Sequence, residues 1–394
     1  MGANFRLAPH MAKIPSNPIF HLLPKLNEPG FISFAAGAPA AETFPSKEIG
    51  DILAGILAER PDEILQYGST EGYPPARRAM AKLISRYGLS PKPEDIVITT
   101  GGQQAIDILT KLFVEPGDVV LVGAPTYSAT LQILKSHRAV AISLESDENG
   151  FLPDDLEDKI KLFNPKFVYL IPTFKNPSGA TISVDRRMAA AEITGRRGVP
   201  LIEDDPYRDL RYKGEHLPAI KSFDKSDNVI FLTSTSKILC PGLRVGAAYI
   251  PKALAPSLTV AKQAADMHSA TIPQAIVSEY IERGLLDPHI ESVCKNYGNK
   301  LEVMLKSAAE FFPDSIKTTR PQGGLFLWCA CPDGTDAEEL LKRSIEKKVA
   351  FIPGGQFFTD GGGQNTFRLN FSNSGVDDII KGMEILGGIL HEVI

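Results

Sequence analysis

Ser234-Thr-Ser-Lys-Ile-Leu-Cys-Pro-Gly-Leu-Arg-Val-Gly246 is the stretch from which the rest of the chain can be read. It begins where an apolar, β-branched run at residues 229–233 ends, so it occupies the end of a strand. It carries hydroxyls at Ser234 and Ser236, an amine at Lys237, a Pro-Gly turn and a guanidinium at Arg244. A lysine at a strand end, in a site with other cations, has its pKa lowered and can serve as a Schiff-base nucleophile. Hydroxyls and an arginine beside it can bind an anionic group such as a phosphate. A lone lysine would ordinarily read as a solvated surface charge. So many specific functions within one turn point away from that reading.

Outward from this segment, short β-branched runs alternate with helical patterns. The strand candidates are residues 96–99, 119–122, 139–143, 167–171, 199–203, 229–233 and 245–250. Most are near-continuous apolar runs, as expected of a sheet covered by helices on both faces. Helical stretches at 103–113, 153–162 and 185–197 lie between them, which is the βαβ pattern of an α/β domain. Run 245–250 follows its predecessor too closely for a helical crossover and is expected to be antiparallel. Past Glu279 the pattern changes to a long helix at 288–312, strands at 325–331, 349–352 and 366–371, and helices at 337–347 and 376–393. The expected architecture is therefore a large α/β domain over residues 46–285, with a seven-stranded mostly parallel sheet. A smaller α+β domain is expected from residues 1–45 and 286–394.

Ligands of open α/β sheets sit at strand ends. Run 96–99 leads into Thr100-Gly101-Gly102-Gln103 and a helix, whose free N–H groups and positive dipole end could cradle an anion. Run 199–203 delivers Asp204, Asp205 and Tyr207. These acids could bind Mg²⁺, face a cationic ring nitrogen, or be solvated loop residues. A nucleoside triphosphatase is disfavoured because no G-x-x-x-x-G-K-[ST] motif is present.

The composition excludes several classes. The chain has 394 residues, 43% hydrophobic and 23% charged, with 42 Lys+Arg against 47 Asp+Glu. That is an ordinary globular balance, and a net charge of −5 is unlike the basic footprint of a nucleic-acid binder. No apolar run approaches the roughly 18 residues of a membrane span, and the N-terminus has no signal-peptide core. Cys240, Cys294, Cys329 and Cys331 are too few for a disulfide framework, which suits a reducing, cytoplasmic compartment, and the C-x-C pair Cys329 and Cys331 reads as small buried hydrophobes. The scattered histidines give no metal-ligand spacing.

With these motifs in place, the chain resembles the class I aminotransferases of the aspartate-aminotransferase fold type, pyridoxal-phosphate enzymes. The subgroup it resembles includes the aminoadipate, kynurenine and aromatic aminotransferases. The resemblance runs from about Ser33 to the C-terminus. It implies pyridoxal 5′-phosphate as cofactor, with Lys237 as the lysine that bonds to its aldehyde. Ser234, Ser236 and Arg244 match phosphate ligands, joined by Gly101, Gly102 and Gln103; many relatives have Ser at the position of Gly102. Asp204 and Tyr207 match the Asp-x-x-Tyr that holds the pyridine nitrogen and the O3′ oxygen. Asn176, in Lys175-Asn-Pro-Ser-Gly179, also matches an O3′ contact, where relatives more often read Gln-Asn-Pro-Thr-Gly. Tyr127 matches the aromatic ring stacked on the cofactor. Arg368 and Gly37 match the groups that grip the substrate α-carboxylate, and Tyr67 matches a tyrosine that reaches the partner's phosphate in a homodimer.

The mechanism implied is transamination. Lys237 acts as base and then acid, Asp204 keeps the ring nitrogen protonated, and Arg368 orients the substrate. In relatives favouring aminoadipate, an N-terminal arginine faces the substrate side chain. Counting back from Ser33 places Phe20 there, in Asn17-Pro-Ile-Phe-His-Leu-Leu23. This implies an aromatic or large aliphatic L-amino acid as donor and 2-oxoglutarate as acceptor. A 2-aminoadipate preference and a sister lyase or decarboxylase are the alternatives. An aminotransferase-like transcription factor is disfavoured, because about 30 residues before Ser33 are too few for a winged helix.

Overall fold

The computed structural model describes residues 5–6, 8–14 and 28–394. Seven strands form the main sheet: β1 (Ile96–Thr100), β2 (Val119–Gly123), β3 (Val140–Leu144), β4 (Phe167–Leu170), β5 (Leu201–Asp204), β6 (Val229–Ser234) and β7 (Val245–Tyr249). Their order across the sheet is β1-β7-β6-β5-β4-β2-β3. β7 is antiparallel to both neighbours, and every other pairing is parallel. β4, β5 and β6 are buried along their whole length, as their unbroken apolar character requires. Helices Gly101–Phe113 and Val184–Arg197 are among those connecting these strands.

A second, four-stranded antiparallel sheet is built from β8 (Lys317–Thr318), β9 (Phe326–Ala330), β10 (Ile352–Pro353) and β11 (Thr366–Asn370), in the order β8-β9-β11-β10. Residues 349–352, which read as one strand, divide between two sheets. Val349–Ala350 pairs in parallel with Ile32–Ser33, whereas β10 pairs with β11. The N-terminal segment is stitched to this part of the molecule again where Asn370 N donates to Phe34 O at 2.8 Å. The long helix, Leu286–Phe311, begins two residues earlier than its Pro288 suggests, since a proline is tolerated in the first turn. It packs along Val376–Val393. Six helices of the described residues lie outside the stretches expected from the sequence: Ser46–Glu59, Pro61–Leu65, Pro74–Ser85, Ser128–Ser136, Ala255–Asp266 and Thr271–Glu282.

The loop after β4 carries an uncompensated charge. Lys175 is buried, and its amine donates to Ala124 O at 3.1 Å. Burial alone lowers it from 10.5 to about 8. Between these two values the unfolded chain binds a proton that the folded chain has shed. Stability therefore rises with pH through that window, and the full penalty is present below pH 8. Lys175→Gln is expected to remove this component and to stabilise the protein at pH 7 by about 3 kcal/mol. Urea unfolding of both proteins at pH 7 and pH 10 measures it; a difference between the two proteins no larger at pH 7 than at pH 10 would contradict it.

Candidate active site

The ends of the strands decide where polar groups can gather. The carboxyl ends of the parallel strands β1, β2, β4, β5 and β6 share one edge of the sheet. Because β7 runs the other way, its amino end lies at that edge too, next to Arg244. The order also reverses there, since β3 lies to one side of β2 and β4 to the other. At this edge is a cavity of about 350 Å³ lined by Gly37, Gly102, Gln103, Tyr127, Asn176, Asp204, Tyr207, Ser234, Ser236, Lys237, Arg244 and Arg368. Twelve of the residues singled out in the sequence thus meet in one place. Tyr67 does not join them: it is 77% exposed on the surface. Phe20 lies outside the described residues.

Lys237 leaves the end of β6 and donates from Nζ to Gly37 O at 2.7 Å. Burial lowers its amine to about 8, assisted by repulsion from Arg368 and Arg244. An amine with that pKa is a competent nucleophile and base near neutral pH.

One end of the cavity is built for an anion. Ser234 Oγ lies 2.9 Å from Ser236 Oγ, and Arg244 Nη1 reaches Ser236 Oγ at 3.4 Å. Arg244 also donates to Thr100 O at 3.4 Å, just before the helix Gly101–Phe113 presents its positive end. The helix begins at Gly101 rather than Gln103, so the glycine pair forms its first turn. Gly101 has φ +73°, and a Cβ there would collide with the Arg244 guanidinium. A Cβ on Gly246 would stand 2.7 Å from the Gly101 carbonyl carbon, so glycine there lets β7 pass the helix start. Gly102 is different: its Cβ would meet only Asp204 Oδ1, at 3.9 Å, leaving room for the serine common among relatives.

A second pole is acidic. Alternation along β5 sends Asp204 to the cavity and Glu203 and Asp205 to the opposite side. Asp205 accepts from Arg208 Nε at 2.8 Å and Thr173 Oγ1 at 3.1 Å, while Glu203 accepts the backbone N–H groups of Ile220 and Lys221, each at 2.8 Å. Asp204 Oδ2 accepts from the Tyr169 hydroxyl at 2.6 Å. Burial, with Asp205 nearby, raises Asp204 to about 6 against the lowering effect of that hydrogen bond. The group is a buried carboxylate suited to a cationic partner. Tyr169 was missed in the sequence because it reads as core; the available signal was a phenol in a fully buried strand, which needs a hydrogen-bond partner.

The third pole is Arg368 on β11. It donates to Asn176 Oδ1 at 2.7 Å and to Ala35 O at 2.6 Å, while its buried Nε has no partner among the described residues. Its guanidinium lies 4.4 Å from the centre of the Phe326 ring and 5.3 Å from that of Phe357. Burial lowers it to about 10. A buried guanidinium with no carboxylate and one idle N–H is a receptor for an anionic ligand group. Gly37 lines the same region, where a Cβ would stand 3.1 Å from the Phe326 ring. Tyr127 and Tyr207 have phenols raised by burial, and Tyr207 meets Phe326 edge-on at 5.8 Å. The rest of the wall includes Ile106, Gln132, Ile352, Gln356 and Phe357, none of which the motifs indicated.

These poles fit pyridoxal phosphate: an anion cradle, a nucleophilic amine, and a carboxylate for a cationic ring nitrogen. Residues 29–382 match the family model Aminotransferase class I and II. An aromatic-amino-acid aminotransferase from Thermococcus litoralis is 38% identical over 96% of this chain and 92% of its own length. The crystal structure of a multiple substrate aminotransferase from Thermococcus profundus superposes with a TM-score of 0.93 at 36% identity, covering 98% of this chain and 97% of that one. The α-aminoadipate aminotransferase of Thermus thermophilus, complexed with N-(5′-phosphopyridoxyl)-L-leucine, gives 0.91 at 36% identity over the same shares. The chain belongs to the class I and II aminotransferases and is a pyridoxal-phosphate-dependent transaminase.

Proposed function

We propose that the protein takes the amino group of an L-amino acid with an aromatic or large aliphatic side chain and passes it to a 2-oxo acid such as 2-oxoglutarate. One observation carries the substrate choice. Among the described residues the cavity is lined by three cations, Lys237, Arg244 and Arg368, and each has a task that any amino acid requires. No further cation among the described lining residues is left for a side-chain carboxylate. Ile106, Ile352 and Phe357 offer apolar surface to an aromatic or aliphatic side chain. Phe20 at the position that is arginine in aminoadipate-preferring relatives supports the same choice.

Pyridoxal phosphate, when bound, supplies an aldehyde that bonds to amines and a ring that accepts the electron pair left by a departing proton. Ser234, Ser236, Arg244 and the backbone at Gly101, Gly102 and Gln103 would hold its phosphate. Asp204, positioned by Tyr169, would hold the proton on its ring nitrogen. Tyr207 and Asn176 would bind its phenolic oxygen, and Tyr127 would cover its ring. Arg368 binds the α-carboxylate through its fork, helped by the backbone at Gly37. That contact fixes the direction of the Cα–H bond. Lys237 Nζ takes the Cα proton as base and returns it as acid, a role its lowered pKa suits.

A cytoplasmic homodimer completes the proposal. Leu65, Tyr67 and Met267 are apolar groups 66%, 77% and 54% exposed, and Tyr67 meets His268, the neighbour of Met267, at the surface. Tyr67 would reach the phosphate of the partner's site. The four cysteines are free, consistent with a reducing compartment.

The test is absorbance of the purified protein before and after phenylalanine. The yellow band is expected to convert to that of the aminated cofactor and to return with 2-oxoglutarate. A band that bleaches and is restored by no 2-oxo acid would indicate a lyase or decarboxylase. For the side-chain pocket, Phe20→Arg is expected to raise kcat/KM for 2-aminoadipate relative to phenylalanine by about tenfold or more, the scale of one charge-assisted contact. An unchanged ratio would remove Phe20 from the pocket.

A further inference from the structure

The helix Ala255–Asp266 ends in an unusual turn. Met267 has φ +61° and ψ −56°, and His268 N donates to Asp266 O at 2.7 Å, closing a three-residue γ-turn with positive φ. A methionine in this conformation is strained, and such strain persists only where the surroundings over-determine it.

Here they do, from two sides. The Asp266 carboxylate accepts from Lys262 Nζ at 2.9 Å, Gln104 Nε2 at 2.6 Å and Thr100 Oγ1 at 3.2 Å. Lys262 also donates to Ser269 Oγ at 3.0 Å, and Thr100 N donates to Gln104 Oε1 at 2.8 Å. Thr100 directly precedes Gly101, so these bonds tie the turn to the chain's own phosphate-binding loop. On the other side, His268 Nδ1 lies 2.9 Å from Ser269 O, and Gly68 N donates to Nε2 at 3.2 Å. A carbonyl at one nitrogen and an N–H at the other select the neutral ring with the proton on Nδ1. The same ring stands edge-on to Tyr67, with centroids 5.8 Å apart. None of Asp266, His268 or Ser269 lines the cavity of its own chain.

We propose that His268 is a positioning residue for the partner's phosphate site. It fixes Tyr67 and Gly68, and through the Asp266–Thr100 bonds it sets them against the phosphate loop of its own chain. This rests on the reading that Tyr67 reaches across the dimer. A tyrosine so exposed needs such a support to present its hydroxyl in one place. The strained turn supplies the angle that aims the imidazole at it.

The test compares the full-length holoenzyme with Tyr67→Phe, His268→Ala, His268→Gln and the double variant Tyr67→Phe/His268→Ala. Each is measured for pyridoxal phosphate dissociation by absorbance titration, for dimer content by sedimentation, and for kcat and KM at saturating cofactor. Tyr67→Phe and His268→Ala are each expected to weaken cofactor binding about tenfold with the dimer retained, the loss of one hydrogen bond to a charged group. The double variant is expected to be no weaker than Tyr67→Phe, since both changes remove the same contact. His268→Gln, whose amide oxygen reaches about as far as the imidazole Nε2 and can accept from Gly68 N, is expected to recover most of the affinity. Normal cofactor affinity in His268→Ala, with Tyr67→Phe impaired, overturns the role of His268 alone. Normal affinity in Tyr67→Phe overturns the cross-subunit reading itself. Additive losses, or dissociation to monomers in both His268 variants, would assign His268 to another function and overturn the proposal.

Discussion

β7 lies between β1 and β6 and runs against both, so Arg244 at its start stands at the same sheet edge as Lys237 past the end of β6. Had β7 been parallel, the guanidinium would sit at the far edge, a strand length from the amine. The reversal requires close passage of the chain beside the helix that begins at Gly101. The contact of Gly246 with Gly101, and the fit of Gly101 under Arg244, leave no space for a Cβ at either position. An anion cradle and a nucleophilic lysine thus arise together from one antiparallel strand and two glycines.

The cavity built on that edge is electrostatically unfinished. Among the described residues, half-buried Lys237 and buried Arg368 are cations with only carbonyl or amide oxygens as partners, and Asp204 is a buried carboxylate with one phenol. Each has a pKa displaced towards its neutral form, chiefly by burial. Such groups are costly in a protein that binds nothing. A ligand bearing a phosphate, a ring cation and a carboxylate would offset these costs at once. The same displacement keeps the Lys237 amine available for proton transfer near neutral pH.

Much of this was legible in the sequence because the motifs are local. The segment from Ser234 to Gly246, the Asp204–Tyr207 run and the glycine pair each follow a strand, and strands were visible as β-branched runs. The antiparallel β7 followed from the short connection before it. What was not legible depends on partners distant in sequence. Tyr169 looks like core until Asp204 is seen one strand away. Residues 349–352 look like one strand until Ile32–Ser33 takes half of them. The helices Ala255–Asp266 and Thr271–Glu282 have weakly segregated apolar faces, and the strained turn between them is set by contacts with residues 68, 100 and 104. The inward and outward directions of Asp204 and Asp205 follow from strand alternation once the end of β5 is known.

The central claim is that this sheet edge holds pyridoxal phosphate covalently through Lys237. Reduction of the purified protein with borohydride, followed by proteolysis and mass spectrometry, tests it most directly. The account predicts a stable phosphopyridoxyl adduct on the peptide containing Lys237, and none on Lys175 or any other lysine. A protein reconstituted with the cofactor that carries no adduct on Lys237, or carries it elsewhere, would contradict the account.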